Sequence, residues 1–186
     1  TVALRMETSY PWDGKVRLAV TATPGSAWTL SVRIPSWAQG ATVTVNGQSV
    51  SVAADAKGYA RIERSWASGD VVELNLPMSP RLVEAHPWVE ATRGCAAVER
   101  GPLVYCVEQC DQTAPVYDLQ LDTSAPLETV WQGDLLEGVQ VVKGSGYAID
   151  RSEWEGVLYR PLQEGGSSAR TPVSLTMVPH YAWANR

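Results

Sequence analysis

Three cysteines, Cys95, Cys106 and Cys110, and two histidines, His86 and His180, are the residues whose types most readily do nucleophilic or metal chemistry. Their spacing argues against both. No Cys-x-x-Cys pair is present, so a zinc site built from these thiols alone lacks its usual ligand geometry. If Arg100-Gly101 were a two-residue hairpin loop, Glu99 would face Pro102 and Cys95 would face Cys106, close enough to bridge. Cys106 and Cys110, both extended, would stand about 13 Å apart, too far for a bond. The alternative is three reduced, buried thiols. Each histidine sits beside a proline, Pro87 or Pro179, and no nucleophile motif accompanies either, which favours packing or loop roles.

Carboxylates are plentiful, with 20 Asp plus Glu. Glycoside hydrolysis needs two of them roughly 5–10 Å apart, and sequence singles out no pair for that role. Glu153 and Glu155 flank Trp154, a combination that could hold a sugar, with a loop indole closing a core as the competing reading. Trp88 and Trp131 are further candidates for sugar contact. Tyr10, Trp12 and Asp13, in the turn Tyr10-Pro11-Trp12-Asp13-Gly14, are candidates for a domain interface, and exposed aromatics there could equally stack on sugar rings. Gly144-Ser145-Gly146 matches neither a dinucleotide fingerprint nor a P-loop.

The elements that must position these residues read as strands. Val16, Leu18, Val20 and Ala22 alternate with polar or small neighbours, as do Trp28, Leu30, Val32 and Ile34. Such two-residue alternation puts one set of side chains on a buried sheet face. Val43 and Val45 lead into Asn46-Gly47, a hairpin signal, and Val50 and Val52 follow. Tyr59 to Arg64 and Val71 to Leu76 make the next pair. Later candidates are Cys95 to Glu99, Leu103 to Glu108, Val139 to Val142, Val157 to Tyr159 and Val173 to Val178. Gly144-Ser145-Gly146 and Gly165-Gly166-Ser167-Ser168 read as loops between them.

The expected fold class is all-β, as two consecutive antiparallel β-sandwich domains. The first spans 1–87, with an opening strand that the sequence does not show, and the second spans 88–186. Prolines between Pro77 and Pro87 mark the boundary. No repeat of fixed period is visible.

The chain has 186 residues and a formal net charge of −5, with 8 Trp, 7 Tyr and no Phe. At 45% hydrophobic residues it has material for a core, which excludes disorder as the main state. The acidic balance leaves no basic face for nucleic acid, and no apolar run reaches the roughly 20 residues of a membrane span. No signal-peptide pattern is visible, which favours a cytoplasmic address. The chain opens on Thr1 rather than Met and so reads as a piece of something longer.

Several segments together resemble one family. They are Glu7-Thr8-Ser9-Tyr10-Pro11-Trp12-Asp13-Gly14, Ser31-Val32-Arg33-Ile34-Pro35-Ser36-Trp37-Ala38, and Val45-Asn46-Gly47. Gly58-Tyr59, Ile62, Arg64, Trp66, Gly69-Asp70 and Leu74-Asn75-Leu76-Pro77-Met78 follow. The most specific are Arg100-Gly101-Pro102-Leu103-Val104-Tyr105-Cys106, extended by Glu99 and by Val107-Glu108, and the ending Tyr181-Ala182-Trp183-Ala184-Asn185-Arg186. In that order they resemble the C-terminal part of glycoside hydrolase family 127, the β-L-arabinofuranosidase-like proteins.

The resemblance implies an (α/α)6 barrel followed by two β-sandwiches. It places a cysteine nucleophile, zinc with cysteine and glutamate ligands, and a glutamate acid/base in the barrel, for retaining hydrolysis of terminal β-L-arabinofuranosides. None of Cys95, Cys106 and Cys110 falls at a catalytic motif, so no catalytic residue, cofactor or metal ligand is expected in this segment. Cys106 is expected to pack. His180 stands where the family often has an aromatic residue.

The expected function is thus a non-catalytic accessory region that braces the barrel, its partner, and shapes one wall of the cleft. The alternative is an independent carbohydrate-binding module that uses exposed Trp to take arabinose-containing glycans. A self-associating homodimer is a third possibility. Trp12, Trp37, Trp66 and Trp183 fall within the shared segments and are assigned to cores or domain seams, and Trp28 to a core. Trp88, Trp131 and Trp154 remain for a binding surface.

Overall fold

The computed structural model describes residues 1–51, 53–161 and 168–185. Val52, residues 165–167 of the expected glycine-rich loop, and Arg186 lie outside them. Among the described residues every strand pairing is antiparallel, and the chain is all-β. It divides into two units, Thr1–Ser79 and Pro80–Arg186. This division precedes the 87/88 boundary read from the prolines. Pro80–Val83 is itself a strand and pairs with Ala97–Arg100 inside the second unit. A proline can open a strand, because the first residue need not donate to the ladder.

The first unit has seven strands among its described residues: β1 (Ala3–Thr8), β2 (Lys15–Ala22), β3 (Ala27–Arg33), β4 (Thr42–Val45), β5 (Gln48–Val50), β6 (Tyr59–Ser65) and β7 (Val71–Asn75). Five form a sheet in the order β1-β2-β7-β4-β5, and β3 pairs with β6. Val20, Val43, Val45, Val72 and Leu74 from the larger sheet share one core with Leu30, Val32, Ala60 and Ile62 from the smaller. These are the alternating positions of the sequence, and the two sheets bury each other's apolar faces. β1 is not among the strands expected from the sequence. It is an edge strand whose Leu4 and Met6 remain exposed.

Turn chemistry fixes the strand order. Asn46 (φ 52°) and Gly47 (φ 77°) are both left-handed, as a two-residue hairpin loop requires. Asn46 also joins two hairpins: its Oδ1 accepts the Val71 N–H at 2.9 Å, and its Nδ2 donates to Asp70 Oδ1 at 2.8 Å. Gly14 lies where a Cβ would stand 1.8 Å from the Leu76 carbonyl oxygen. Only a residue without a side chain lets these backbones approach so closely.

In the second unit, β8 (Pro80–Val83), β9 (Ala97–Arg100), β10 (Leu103–Val107), β11 (Leu119–Leu121), β12 (Glu128–Gln132), β13 (Val139–Ile149) and β14 (Arg170–Pro179) form one seven-stranded sheet. β11 and β12 share one edge of β13, pairing with its second and first halves, while β14 pairs along the other edge. Leu82 of β8 and Leu119 and Leu121 of β11, from opposite ends of the strand order, pack on the same buried cluster of Val98, Tyr105, Val142, Leu175 and Met177. The sheet therefore curls over its own core.

Three local expectations change here. Gly144-Ser145-Gly146 is not a loop but the middle of β13. A Cβ on Gly146 would stand 2.4 Å from the Gln120 carbonyl oxygen, so glycine admits β11 there. Residues 157–159 do not form a strand: Leu158 and Tyr159 are almost wholly exposed, and without a covered face the local alternation has nothing to order it. The β9–β10 turn centres on Gly101-Pro102, because Arg100 pairs with Leu103. Gly101 takes the positive φ, 56°, and Pro102 the position where no N–H is required. This register sets Val98 opposite Tyr105, so Cys95 does not come to face Cys106, and all three cysteines are thiols.

Candidate functional site

The two most family-specific segments meet at a buried carboxylate. Glu108 follows β10 and is only 7% exposed. Its Oε1 accepts the Ala184 backbone N–H at 2.6 Å, just after the 3-10 turn His180–Ala182. Ala184 is left-handed, with φ 59°. A buried carboxylate needs such donors to offset its desolvation. Three residues earlier, on β10, Tyr105 is buried and donates its hydroxyl to the Gln140 carbonyl at 3.1 Å. Burial pushes the Tyr105 phenol pKa upward, and the charge of Arg100, itself buried, opposes that rise.

Glu108, Cys110 and Asp111 bring one ligand atom each within 4.8 Å of one another. The Cys110 thiol lies 4.0 Å from Glu108 Oε2. Glu108 Oε1 is already engaged by the Ala184 N–H. Its visible work is to tie the closing turn to β10. Spacing gave no signal for it, because Glu108 and Ala184 are distant in sequence and meet only through the fold.

The cysteines are not uniformly buried: Cys95 and Cys110 are exposed and Cys106 is half-buried. Cys95, Cys106 and His86 line a cavity of about 830 Å³ over the second unit's core, with Tyr105, Leu175 and Met177. His86 also packs edge-on to Trp88, ring centroids 5.3 Å apart, and its Nδ1 accepts the Trp88 N–H at 3.3 Å.

The three tryptophans expected on a binding surface are all exposed, on different elements: Trp88 at 87%, Trp131 at 50% and Trp154 at 38%. Trp131, on β12, lies so close over Gly138 that a Cβ at that glycine would fall 2.4 Å from the indole. Trp154 lies in the 3-10 turn Ser152–Trp154, with the Arg160 guanidinium 4.1 Å from its ring centroid. Arg160 also pairs with Glu153 at 2.8 Å. Thus Glu153 and one indole face already share a cation that sequence spacing did not reveal, and Glu155 is exposed beside them.

Among the remaining tryptophans, Trp66 is buried and its Nε1 donates to the Trp28 carbonyl at 3.0 Å. Trp28 and Trp37 pack half-buried on the first core. Trp183 differs: it is 58% exposed, since the final turn buries Ala182 instead. Its ring stacks on His180 at 6.0 Å. Tyr10 and Asp13 are exposed and Trp12 half-buried, in the turn between β1 and β2. Asp13 accepts the Lys15 N–H, and Thr8 Oγ1 donates to the Lys15 carbonyl at 2.7 Å.

Residues 1–78 match the β-L-arabinofuranosidase GH127 middle domain, and residues 80–186 match the glycoside hydrolase family 127 C-terminal domain. A non-reducing end β-L-arabinofuranosidase of Bifidobacterium longum subsp. longum is 36% identical over 196 residues, covering 100% of this chain and 29% of the relative. The crystal structure of a GH127 β-L-arabinofuranosidase from Geobacillus stearothermophilus T6 superposes over 100% of this chain and 29% of that one, at 43% identity and a TM-score of 0.90. A GH127 β-arabinofuranosidase of 34% identity, matched over 100% of this chain and 30% of its own, gives 0.85. The chain thus spans under a third of the length of these relatives.

Proposed function

The chain belongs to glycoside hydrolase family 127, and from that premise we propose that it is a non-catalytic accessory region that braces an (α/α)6 catalytic barrel and shapes its cleft. The observation that supports this reading is the match of both units, end to end, to the family's middle and C-terminal domains. Segments that carry the resemblance also serve the fold here: Glu108 holds the turn at Ala184, and Gly14 lets β2 approach Leu76. Under this reading the parent is a retaining hydrolase of terminal β-L-arabinofuranosides. Its nucleophile and zinc belong to the barrel, which is the chain's partner.

The 186-residue chain should therefore show no turnover of an aryl β-L-arabinofuranoside and carry no stoichiometric zinc. Co-expressed with the rest of its parent polypeptide, it should copurify and restore activity. Hydrolysis by the isolated chain that survives repurification overturns the proposal, as does full activity of the parent without this region.

The exposure of Trp88, Trp131 and Trp154 favours a second reading, an independent carbohydrate-binding module. Titration with arabino-oligosaccharides should then quench or shift Trp emission. An unchanged spectrum at millimolar sugar removes it.

A further inference from the structure

The outer face of the five-stranded sheet in the first unit is a polar ladder. Glu7, Arg17, Glu73, Thr44 and Ser49 stand opposite one another in turn across β1, β2, β7, β4 and β5. Lys15, Asn75 and Thr42 form the adjacent rung on β2, β7 and β4. A groove of about 480 Å³ runs over both rungs and is bounded by Ser9 and Asp13 of the following turn. Within it Arg17 pairs with Glu7 at 3.1 Å, and Thr44 Oγ1 donates to Glu73 Oε2 at 3.4 Å. Asn75, Thr42 and Lys15 are exposed.

The chemistry of this lining selects among ligands. Its two cations, Lys15 and Arg17, nearly balance the carboxylates Glu7, Asp13 and Glu73. That balance offers nothing to a polyanion, which needs a basic track. A hard divalent cation wants converging oxygens, and here Arg17 stands between Glu7 and Glu73. An amphipathic helix or a proline-rich segment needs an apolar floor, and the rungs are polar. A neutral polyhydroxylated ligand fits, because each hydroxyl both donates and accepts, and the rungs offer carboxylate, amide, hydroxyl and ammonium partners.

The spacing fits as well. Strands lie about 4.8 Å apart, so partners recur across the groove at about the length of one sugar unit. Tyr10, 40% exposed, follows the lining residue Ser9 in the chain but is not itself part of the lining, so the fit rests on the polar rungs.

We propose that this groove binds a neutral oligosaccharide lying across the strands, with Glu73 and Asn75 at the centre of the hydrogen-bonding ladder. The inference does not rest on the accessory role, and it concerns a different surface from the exposed tryptophans of the second unit.

The test is a titration of the 15N-labelled chain with a linear neutral arabino-oligosaccharide, and in a second arm with an oligogalacturonate. The neutral sugar should shift the amides of Thr42, Thr44 and Glu73 and the side-chain amide of Asn75, saturating in the millimolar range. A Glu73→Ala, Asn75→Ala double variant should weaken binding about tenfold through the lost hydrogen bonds. Both residues are exposed, so its melting temperature should not change, and Thr44→Ala gives an independent weaker variant. The acidic sugar should bind less well than the neutral one. Absence of shifts at about 10 mM sugar, shifts confined to the Trp131 and Trp154 indoles, undiminished binding by the double variant, or preference for the acidic sugar would each overturn the proposal.

Discussion

The two units solve the same problem, covering the dry face of an antiparallel sheet, in different ways. The first closes five strands with a separate pair, and twelve residues from Val20 to Leu76 make one buried cluster. The second curls a single seven-stranded sheet, buries a cluster of only five among the described residues, and keeps a cavity of about 830 Å³ over it. Two separate sheets can each present a full apolar face, whereas a curled sheet must bend within its strands. Glycines inside β13 let neighbouring strands and side chains come close, and a polar tie, Glu108 to Ala184, closes the last turn, as Asn46 ties two hairpins in the first unit.

Gly14→Ala should separate the two units most sharply. Its Cβ meets a backbone oxygen at 1.8 Å, and relief requires shifting β2 against the Leu76 segment, at a cost of about 3 kcal/mol or more. Hydrogen exchange should show protection lost in β2 and β7 while β13 and β14 stay protected. Equal loss in both units would mean that the division at Ser79 has no energetic counterpart.

The matching change in the second unit is Glu108→Ala. It removes the buried, charged acceptor of the Ala184 N–H, and about 1.5–3 kcal/mol should be lost, the range for a hydrogen bond to a charged group. Urea denaturation should show it, with protection lost first at Ala184. A change below roughly 0.5 kcal/mol would mean the closing turn is held by packing rather than by this bond.

Asn46→Ala acts more locally. It puts alanine at φ 52° and removes the acceptor of the Val71 N–H, which together should cost about 1–2 kcal/mol. Asn46→Gly keeps the backbone conformation and should recover part of that loss. Identical melting temperatures for the two variants would place the whole effect in the side-chain bonds.

Acid should distinguish the units least. Asp70 in the first is held below its ordinary pKa by the Ala67 N–H and then by Asn46, and Asp122 in the second by Ser124. In both the folded pKa lies below the unfolded value near 3.8. Their contribution is therefore complete above about pH 4 and is lost as pH falls through the folded values. Melting temperature should fall as pH drops below about 4, and Asp70→Asn should flatten that fall.

The first unit was largely legible because its information is local. Strict alternation from Val16 to Leu76 names one face, and Asn46-Gly47 names a turn. Only β1, whose Leu4 and Met6 are not covered, carries no such mark. The second unit depends on partners distant in sequence. Gly146 looks like a loop residue until β11 lies against it, and the 157–159 segment looks like a strand until no sheet receives it. At the candidate sites, the exposure of Trp88, Trp131 and Trp154 could be read ahead. The cation shared by Glu153 and Trp154 could not, since Arg160 reaches back across a turn of unmarked sequence. The polar ladder was hidden in plain view. Its residues are the unremarked alternates of the apolar positions, and they acquire meaning only once register sets them side by side.

The Trp28–Trp66 pair has an optical consequence. The two indoles lie 5.3 Å apart at 33°, and both belong to the first core. Transition dipoles so close and inclined couple strongly, and their coupling produces a paired positive and negative band in circular dichroism. That couplet reports the first unit's packing without any label. Its disappearance on heating, followed beside the amide signal of the whole chain, would time the melting of one unit within the other's background.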